Sequence, residues 1–147
     1  MSHSLTSLHY HAIFSTKERR PLVTAELKPD LLAYVGGIVR NLGGKVVMAN
    51  AMENHVHLLI TLPSTLDIAD CMRMVKANSS KWVNEKRGRF GWQRGFAAFT
   101  VSTSNMPDVA RYIRDQERHH RKITFQEELI AFLKKNPVAY DPKYIWE

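Results

Sequence analysis

The chain has 147 residues, 44% of them hydrophobic, enough for one compact domain with a real core, expected over 1–147. Lys and Arg number 21 against 14 Asp and Glu, a net charge of +7 that favours a polyanionic partner, nucleic acid before anionic lipid. No apolar run is long enough to span a membrane, and the start MSHSLTSLHYH lacks the basic and apolar regions of a secretion signal. No membrane partner is expected. The single cysteine, Cys71, sits among apolar positions and reads as a small buried residue in a reducing cytoplasm.

Residues 8–16, LHYHAIFST, alternate and are rich in aromatic and β-branched types, as a first strand requires. KERRP then makes a basic turn closed by Pro21. From Thr24 the period lengthens, with Leu27, Leu31, Leu32, Val35, Ile38, Val39 and Leu42 on one stripe until Gly43-Gly44 stops the helix. KVVMANAM (45–52) predicts a second strand and HVHLLITL (55–62) a third, joined tightly by Glu53-Asn54. After Pro63-Ser64-Thr65 a long helix is expected from about Leu66 to about Lys86. RGRFGWQRG is a loop and FAAFTVST a fourth strand. Pro107-Asp108 opens a helix from about Val109 to Arg121, and a shorter one follows from about Phe125 to Lys134. The C-terminal segment FQEELIAFLKKNPVAYDPKYIWE carries no chemistry that its pattern assigns.

The order β-α-β-β-α-β-α is the ferredoxin-like, RRM-like split pattern, an α+β fold. An antiparallel sheet would carry helices on one face, leave the other open to water or a ligand, and add a C-terminal helix. GGIVRNLGGKV is not a phosphate loop: its glycines close a helix instead of opening one, and no Ser or Thr follows Lys45.

Two imidazoles interrupt the third strand. In ENHVHLLI, His55 and His57 share a face with Leu59, while Val56, Leu58 and Ile60 face a core. Two readings are open here: polar residues on a wet sheet face, or a two-imidazole claw for a divalent metal. His9-Tyr10-His11 repeats the spacing on the first strand, a neighbour of the third in this topology, and makes a rival claw. In ARYIRDQERHH, Tyr112, Gln116, His119 and His120 recur at i, i+4, i+7 and i+8, the stripe an ordinary surface helix buries. Tyr112 and Gln116 can therefore address a single site. His120 and His11 are secondary candidates for it.

Nucleic-acid contacts are expected from the basic stretch between Arg73 and Arg94. Arg73, Lys76, Ser80, Asn84 and Arg87 share one helical face, and Lys81 adds charge nearby. Trp82, Phe90 and Trp92 are interleaved and offer rings for stacking on unpaired bases, although Trp82 alone reads better as core. Lys17, Arg19 and Arg20 form a second basic spot.

His-Val-His within NHVHLLI, with TKERRP upstream and YIRDQERHH downstream, resembles the single-tyrosine HUH transposases of small bacterial insertion sequences. The REP-associated tyrosine transposases share these features. The likeness covers roughly residues 8–125, and it departs from the family at Met52-Glu53-Asn54-His55, where Met-Pro-Asn-His is usual. The resemblance implies that Tyr112 is the nucleophile, that His55 and His57 bind Mg²⁺ or Mn²⁺, and that Gln116 completes the metal site. It implies single-stranded DNA with a hairpin as substrate, a 5′-phosphotyrosine intermediate, and a bacterial cytoplasmic, nucleoid-associated setting. FAAFTVST, an edge strand without charge or proline, permits pairing of two copies. The resemblance implies a homodimer with shared active sites, Tyr112 over the partner's histidines. Two other readings stand beside it. A non-catalytic RRM-like module would carry an aromatic-rich central strand where this chain has HVHLLI. A His-x-His metal-dependent phosphohydrolase would leave Tyr112 incidental.

Overall fold

A computed structural model describes residues 4–146; residues 1–3 and 147 of the expected domain, with the first residues of MSHSLTSLHYH, lie outside it. The strands β1 (Leu8–Ser15), β2 (Lys45–Met52), β3 (His55–Leu62) and β4 (Ala97–Thr100) form one antiparallel sheet in the order β2-β3-β1-β4. The helix α1 (Leu27–Asn41) joins β1 to β2, and α2 (Ile68–Lys86) joins β3 to β4. That is the ferredoxin-like α+β order expected. β4 is shorter than FAAFTVST, with only Ala97–Thr100 extended.

Strand alternation sends Ala12 and Phe14 of β1 and Val56, Leu58, Ile60 and Leu62 of β3 to one face. There Leu27, Leu31, Val35 and Val39 of α1 and Cys71, Met72, Val75 and Val83 of α2 close the main core. Each such aliphatic side chain contributes roughly 1.5–3 kcal/mol of burial. Cys71 is buried as expected, and burial pushes its thiol up to about 11. Two local signals set the helix ends. Gly43 has φ +91°, the left-handed conformation that stops α1. Asp67 accepts from the Asp70 amide at 2.7 Å and caps α2.

The second face of the sheet is not open. It is covered by α3 (Met106–Arg114), α4 (Gln116–His119) and α5 (Phe125–Lys135). Ile13 and Phe99 from the sheet meet Phe125 and Leu133 of α5 in a smaller second core, extended by Leu129, Phe132, Tyr140 and Trp146. The apolar stripe of α5 needs a partner, and this face supplies it.

The single helix expected over 109–121 is two. It breaks at Asp115, whose φ and ψ of −94° and 23° are not helical. The cause lies on another strand. A bulge in β2 between Val46 and Met48 turns Val46, Ala49 and Ala51 to the main core and puts Asn50 opposite His57. The buried Asn50 amide then donates to the carbonyls of Ile113 at 2.8 Å and Arg114 at 3.1 Å, acceptors that a helix end leaves orphaned. Among the described residues no helix is long and apolar enough to cross a membrane.

Candidate active site

His55 and His57 stand side by side on β3, 1% and 0% exposed, with ring centroids 5.2 Å apart. The helix pair α3–α4 lies across them. Tyr112 ends 6.0 Å from His57, ring centre to ring centre, and His119 stacks on its other side at 4.4 Å. Beyond the break, Gln116 is fully buried, and its Oε1 lies 3.1 Å from His55 Nε2 and 3.0 Å from His120 Nε2. The expected Tyr112, His55, His57, Gln116 and His120 thus meet in one place.

Their common partner is a residue the sequence did not single out. Glu128 of α5 is 1% exposed. Its Oε1 lies 3.0 Å from His57 Nε2, 3.2 Å from His120 Nε2 and 3.5 Å from His55 Nε2. Its Oε2 accepts from Gln116 Nε2 at 2.9 Å and from the Tyr112 hydroxyl. One carboxylate therefore faces imidazoles with one oxygen and the nucleophile candidate with the other. Burial alone would raise its pKa. The hydrogen bonds from His120, His55 and His57 more than reverse that and hold it well below the usual carboxylate range. Tyr112 goes the other way: burial, then the Glu128 contact and charge, push its phenol up. His57 is lowered to about 4, chiefly by burial. His120 loses some basicity to burial but regains more from Glu128, so its pKa is raised.

The donor set fits a divalent cation. Ile123 O, which can only accept, takes the Nδ1 proton of His120 at 3.0 Å, and Asn54 Oδ1 does the same for His55 at 2.8 Å. In the neutral rings the Nε2 lone pairs therefore point inward, at Gln116 Oε1 and Glu128 Oε1, which are acceptors too, and without an ion only a second proton on a ring lets its Nε2 donate to Glu128. Lone pairs facing lone pairs call for a positive charge between them. His55, His57, His120 and Glu128 offer ligand atoms all within 4.8 Å of one another.

The rival claw divides. His9 bonds Thr61 Oγ1 at 2.8 Å and Ser7 Oγ at 2.9 Å, away from the site. His11 stands directly behind His57, Nε2 to Nδ1 at 2.8 Å. Two clefts reach the cluster. One of about 520 Å³ touches Tyr112, Glu128, His11, Asp108 and Lys135. The other, about 390 Å³, runs past His55, His120, Arg121 and Lys122. A further cleft of about 530 Å³ beside β4, lined by Arg19, Phe96, Tyr144 and Trp146, holds none of the cluster.

The expected DNA contacts are scattered. Residues of α2 pack on the sheet face opposite the histidines, so Arg73, Lys76, Lys81 and Arg87 lie across the sheet from the cluster. Lys81 is exposed, and Arg73 pairs with Asp70 at 3.5 Å. Lys76 is not free for a phosphate: its ammonium donates to the carbonyls of Gln93 and Gly95, both at 2.6 Å, tying α2 to the approach to β4. Arg87 donates to the Leu22 carbonyl and lies over Phe90. Trp82 stacks on Tyr34 at 4.5 Å under Lys86. Lys17 and Arg20 are exposed at the end of the sheet that carries His55, while Arg19 packs over Trp146 at 5.0 Å. Arg121 and Lys122, which line the cleft beside His55, were not singled out in the sequence. Within the single chain described, Tyr112 lies against its own His57 and Glu128.

Comparison with known proteins gives the family and the fold. The profile of the family described as "Transposase IS200 like" matches residues 4–116. The transposase for insertion sequence element IS200 of Salmonella typhimurium is 27% identical over 128 residues, covering 79% of this chain and 81% of its own length. The ISDra2 transposase TnpA of Deinococcus radiodurans is 26% identical over 117 residues, 74% of this chain and 84% of that one. Among solved structures, a candidate transposase from Deinococcus radiodurans R1 superposes with a TM-score of 0.65 at 23% identity, covering 79% of this chain and 95% of that one. A REP-associated tyrosine transposase bound to a REP hairpin gives a TM-score of 0.63 at 16% identity, over 96% and 90% of the two chains. These two share the fold, a four-stranded antiparallel sheet with helices. With its profile spanning most of the chain, from β1 to Gln116, the protein belongs to the family of IS200-like transposases.

Proposed function

We propose that this transposase cleaves and rejoins single-stranded DNA at hairpin-marked ends through a phosphotyrosine bond made by Tyr112. His55, His57 and Gln116, joined by His120 and Glu128, would hold a Mg²⁺ or Mn²⁺ ion. A divalent ion there supplies positive charge to polarise the scissile phosphate and to offset charge on the leaving oxygen. The observation that carries the reading is convergence: the Tyr112 hydroxyl and three imidazoles meet on the two oxygens of Glu128.

The residues divide the work. The Tyr112 oxygen attacks phosphorus, the bond to the 3′ oxygen breaks, and a free 3′-OH and a 5′-phosphotyrosine result. Attack by another 3′-OH reverses the exchange and joins DNA without ATP. Glu128 Oε2 holds the Tyr112 hydroxyl beside the claw, which fixes its approach. Burial and that carboxylate keep the phenol protonated at rest, so a cation held beside it would favour loss of the proton, which Glu128 Oε2 is placed to accept and the departing 3′ oxygen takes up. Gln116 and the outer partners Asn54 and Ile123 orient the imidazoles. Arg121 and Lys122 in the cleft beside His55 suit an approaching phosphate chain.

A base-binding RRM-like module is disfavoured, since α3 to α5 cover the sheet face it would use. We also infer that each site works within one chain, whatever pairing β4 allows. The test incubates the protein with labelled single-stranded hairpin DNA and Mn²⁺ and resolves the products on a denaturing gel. A covalent adduct is expected from the wild type and none from Tyr112→Phe, with hairpin binding nearly unchanged. An adduct surviving in that variant refutes the nucleophile.

A further inference from the structure

His57 differs from the other two imidazoles in what stands behind it. Asn54 Oδ1 and Ile123 O can only accept, and they fix the proton of His55 and His120 on Nδ1. Behind His57 Nδ1 is His11 Nε2 at 2.8 Å, an atom able to donate or to accept. His11 is 3% exposed and has no other hydrogen-bond partner among the described residues. Its ring is held by the edges of Phe132 at 5.0 Å and Phe99 at 6.4 Å. The β1–β3 register pairs Ile13 with His57 and His11 with Leu59, so the two histidines are diagonal neighbours on one face.

We propose that His11 is a positioning residue of the metal site: it sets which nitrogen of His57 carries the proton, and so whether His57 can ligate a divalent cation. The inference rests on the metal-dependent reading above and goes beyond it by giving a role to a residue that touches neither ion nor DNA. With Glu128 Oε1 3.0 Å away, His57 Nε2–H donates inward and His11 Nε2–H donates to His57 Nδ1. To ligate, His57 Nε2 has to give up its proton, which passes to solvent. The His11 Nε2 proton then passes to His57 Nδ1, and His11 takes a proton at Nδ1 from water in the cleft it lines. One proton leaves Nε2 of His57 and one enters Nδ1 of His11, so the charge of the pair is unchanged. The hydrogen bond between the rings persists with its direction reversed. A ring without nitrogen at position 11 leaves the ligating form of His57 with a buried, unpartnered N–H.

The experiment titrates metal-free wild type, His11→Phe, His11→Gln and His57→Ala with Mn²⁺ by calorimetry, with melting temperature recorded for each. His11→Phe is expected to weaken Mn²⁺ binding roughly 10–100-fold, the usual loss for an outer partner of a ligating imidazole. His11→Gln, whose amide oxygen accepts, recovers most of that. Nitrogen NMR of the wild-type histidine rings gives a readout that needs no variant. The His57 proton is expected on Nε2 without ion and on Nδ1 with Zn²⁺, a diamagnetic probe. The proposal is overturned if His11→Phe binds Mn²⁺ like wild type while His57→Ala does not, or if Zn²⁺ leaves the His57 tautomer unchanged. A wild type that binds Mn²⁺ no better than His57→Ala removes the metal reading itself, and this inference with it.

Discussion

Replacing Glu128 by glutamine keeps the shape of the side chain and removes its charge. The amide oxygen can still accept from Tyr112 and Gln116, and its NH₂ can donate to a His57 that has moved its proton to Nδ1. Few hydrogen bonds need be lost; what disappears is their charge assistance, about 1–2 kcal/mol if bonds to an ion are worth roughly 1.5–3 and neutral ones 0.5–1.5. A chain of this length loses about 2–4 °C of melting temperature per kcal/mol, so metal-free Glu128→Gln should melt about 2–8 °C below wild type. The ion-dependent effect is larger. Ligand at a hundred times its Kd stabilises by about 2.7 kcal/mol, or about 5–11 °C here. A glutamine in place of an anionic ligand that weakens Mn²⁺ by 100-fold leaves about 0.4 kcal/mol, a shift of about 1–2 °C. Differential scanning calorimetry in EDTA and at one fixed Mn²⁺ concentration reads both effects. An unchanged Mn²⁺-induced shift in Glu128→Gln refutes the placing of this carboxylate in the metal site.

Mixing Tyr112→Phe with His57→Ala should restore no cleavage even when subunit exchange is demonstrated, because Tyr112 meets its own chain's claw; recovery would mean that sites are shared between chains. Lys76→Ala should cost about 1–3 kcal/mol of stability through the two lost carbonyl contacts and leave the salt slope of DNA binding unchanged. A slope smaller by about one would return Lys76 to the DNA surface. Stability of the metal-free protein should fall as pH drops from about 6.5 towards 4. Burial holds His57 at about 4 and His11 at about 3 when folded, against 6.5 for the free side chain, so in that window the unfolded chain binds more protons. The effect is on the order of 2 kcal/mol for His57 alone at pH 4.5. It is opposed by His120, whose raised pKa favours the folded state on acidification, while Glu128, held low by its imidazoles, stays ionised throughout. Urea midpoints at pH 7.5 and 4.5 in EDTA measure it, and an equal or higher midpoint at 4.5 contradicts the buried neutral pair.

The strands at 45–52 and 55–62 were legible to the residue because alternation and a two-residue turn leave little freedom of register. The break at Asp115 was not, since the helical spacing of YIRDQERHH runs straight through it without Gly or Pro. Its cause is Asn50, sixty-odd residues away, acting only because a bulge turned it to the right face. Glu128 escaped for a related reason. In FQEELIAFLKK it looks like one of three equivalent glutamine and glutamate positions on a solvated side, and only the imidazoles opposite make it the buried one. The face that carries the histidines is open to water or a ligand in the split pattern alone, which places both crossover helices on the other side. The apolar stripe of α5 covers it nonetheless, the carboxylate meeting the imidazoles and the phenylalanines closing around them.

The family profile ends at Gln116, whereas His120 and Glu128 follow it. His55, His57, Tyr112 and Gln116 lie inside the matched span, and the remaining donors of the cluster lie past its end. A chimera that keeps 4–116 and receives another C-terminal segment would keep the two-histidine strand and Tyr112 but present whatever nitrogen and oxygen donors the new segment carries. The affinity for an ion would then depend on a stretch of chain far in sequence from the strand that carries the claw.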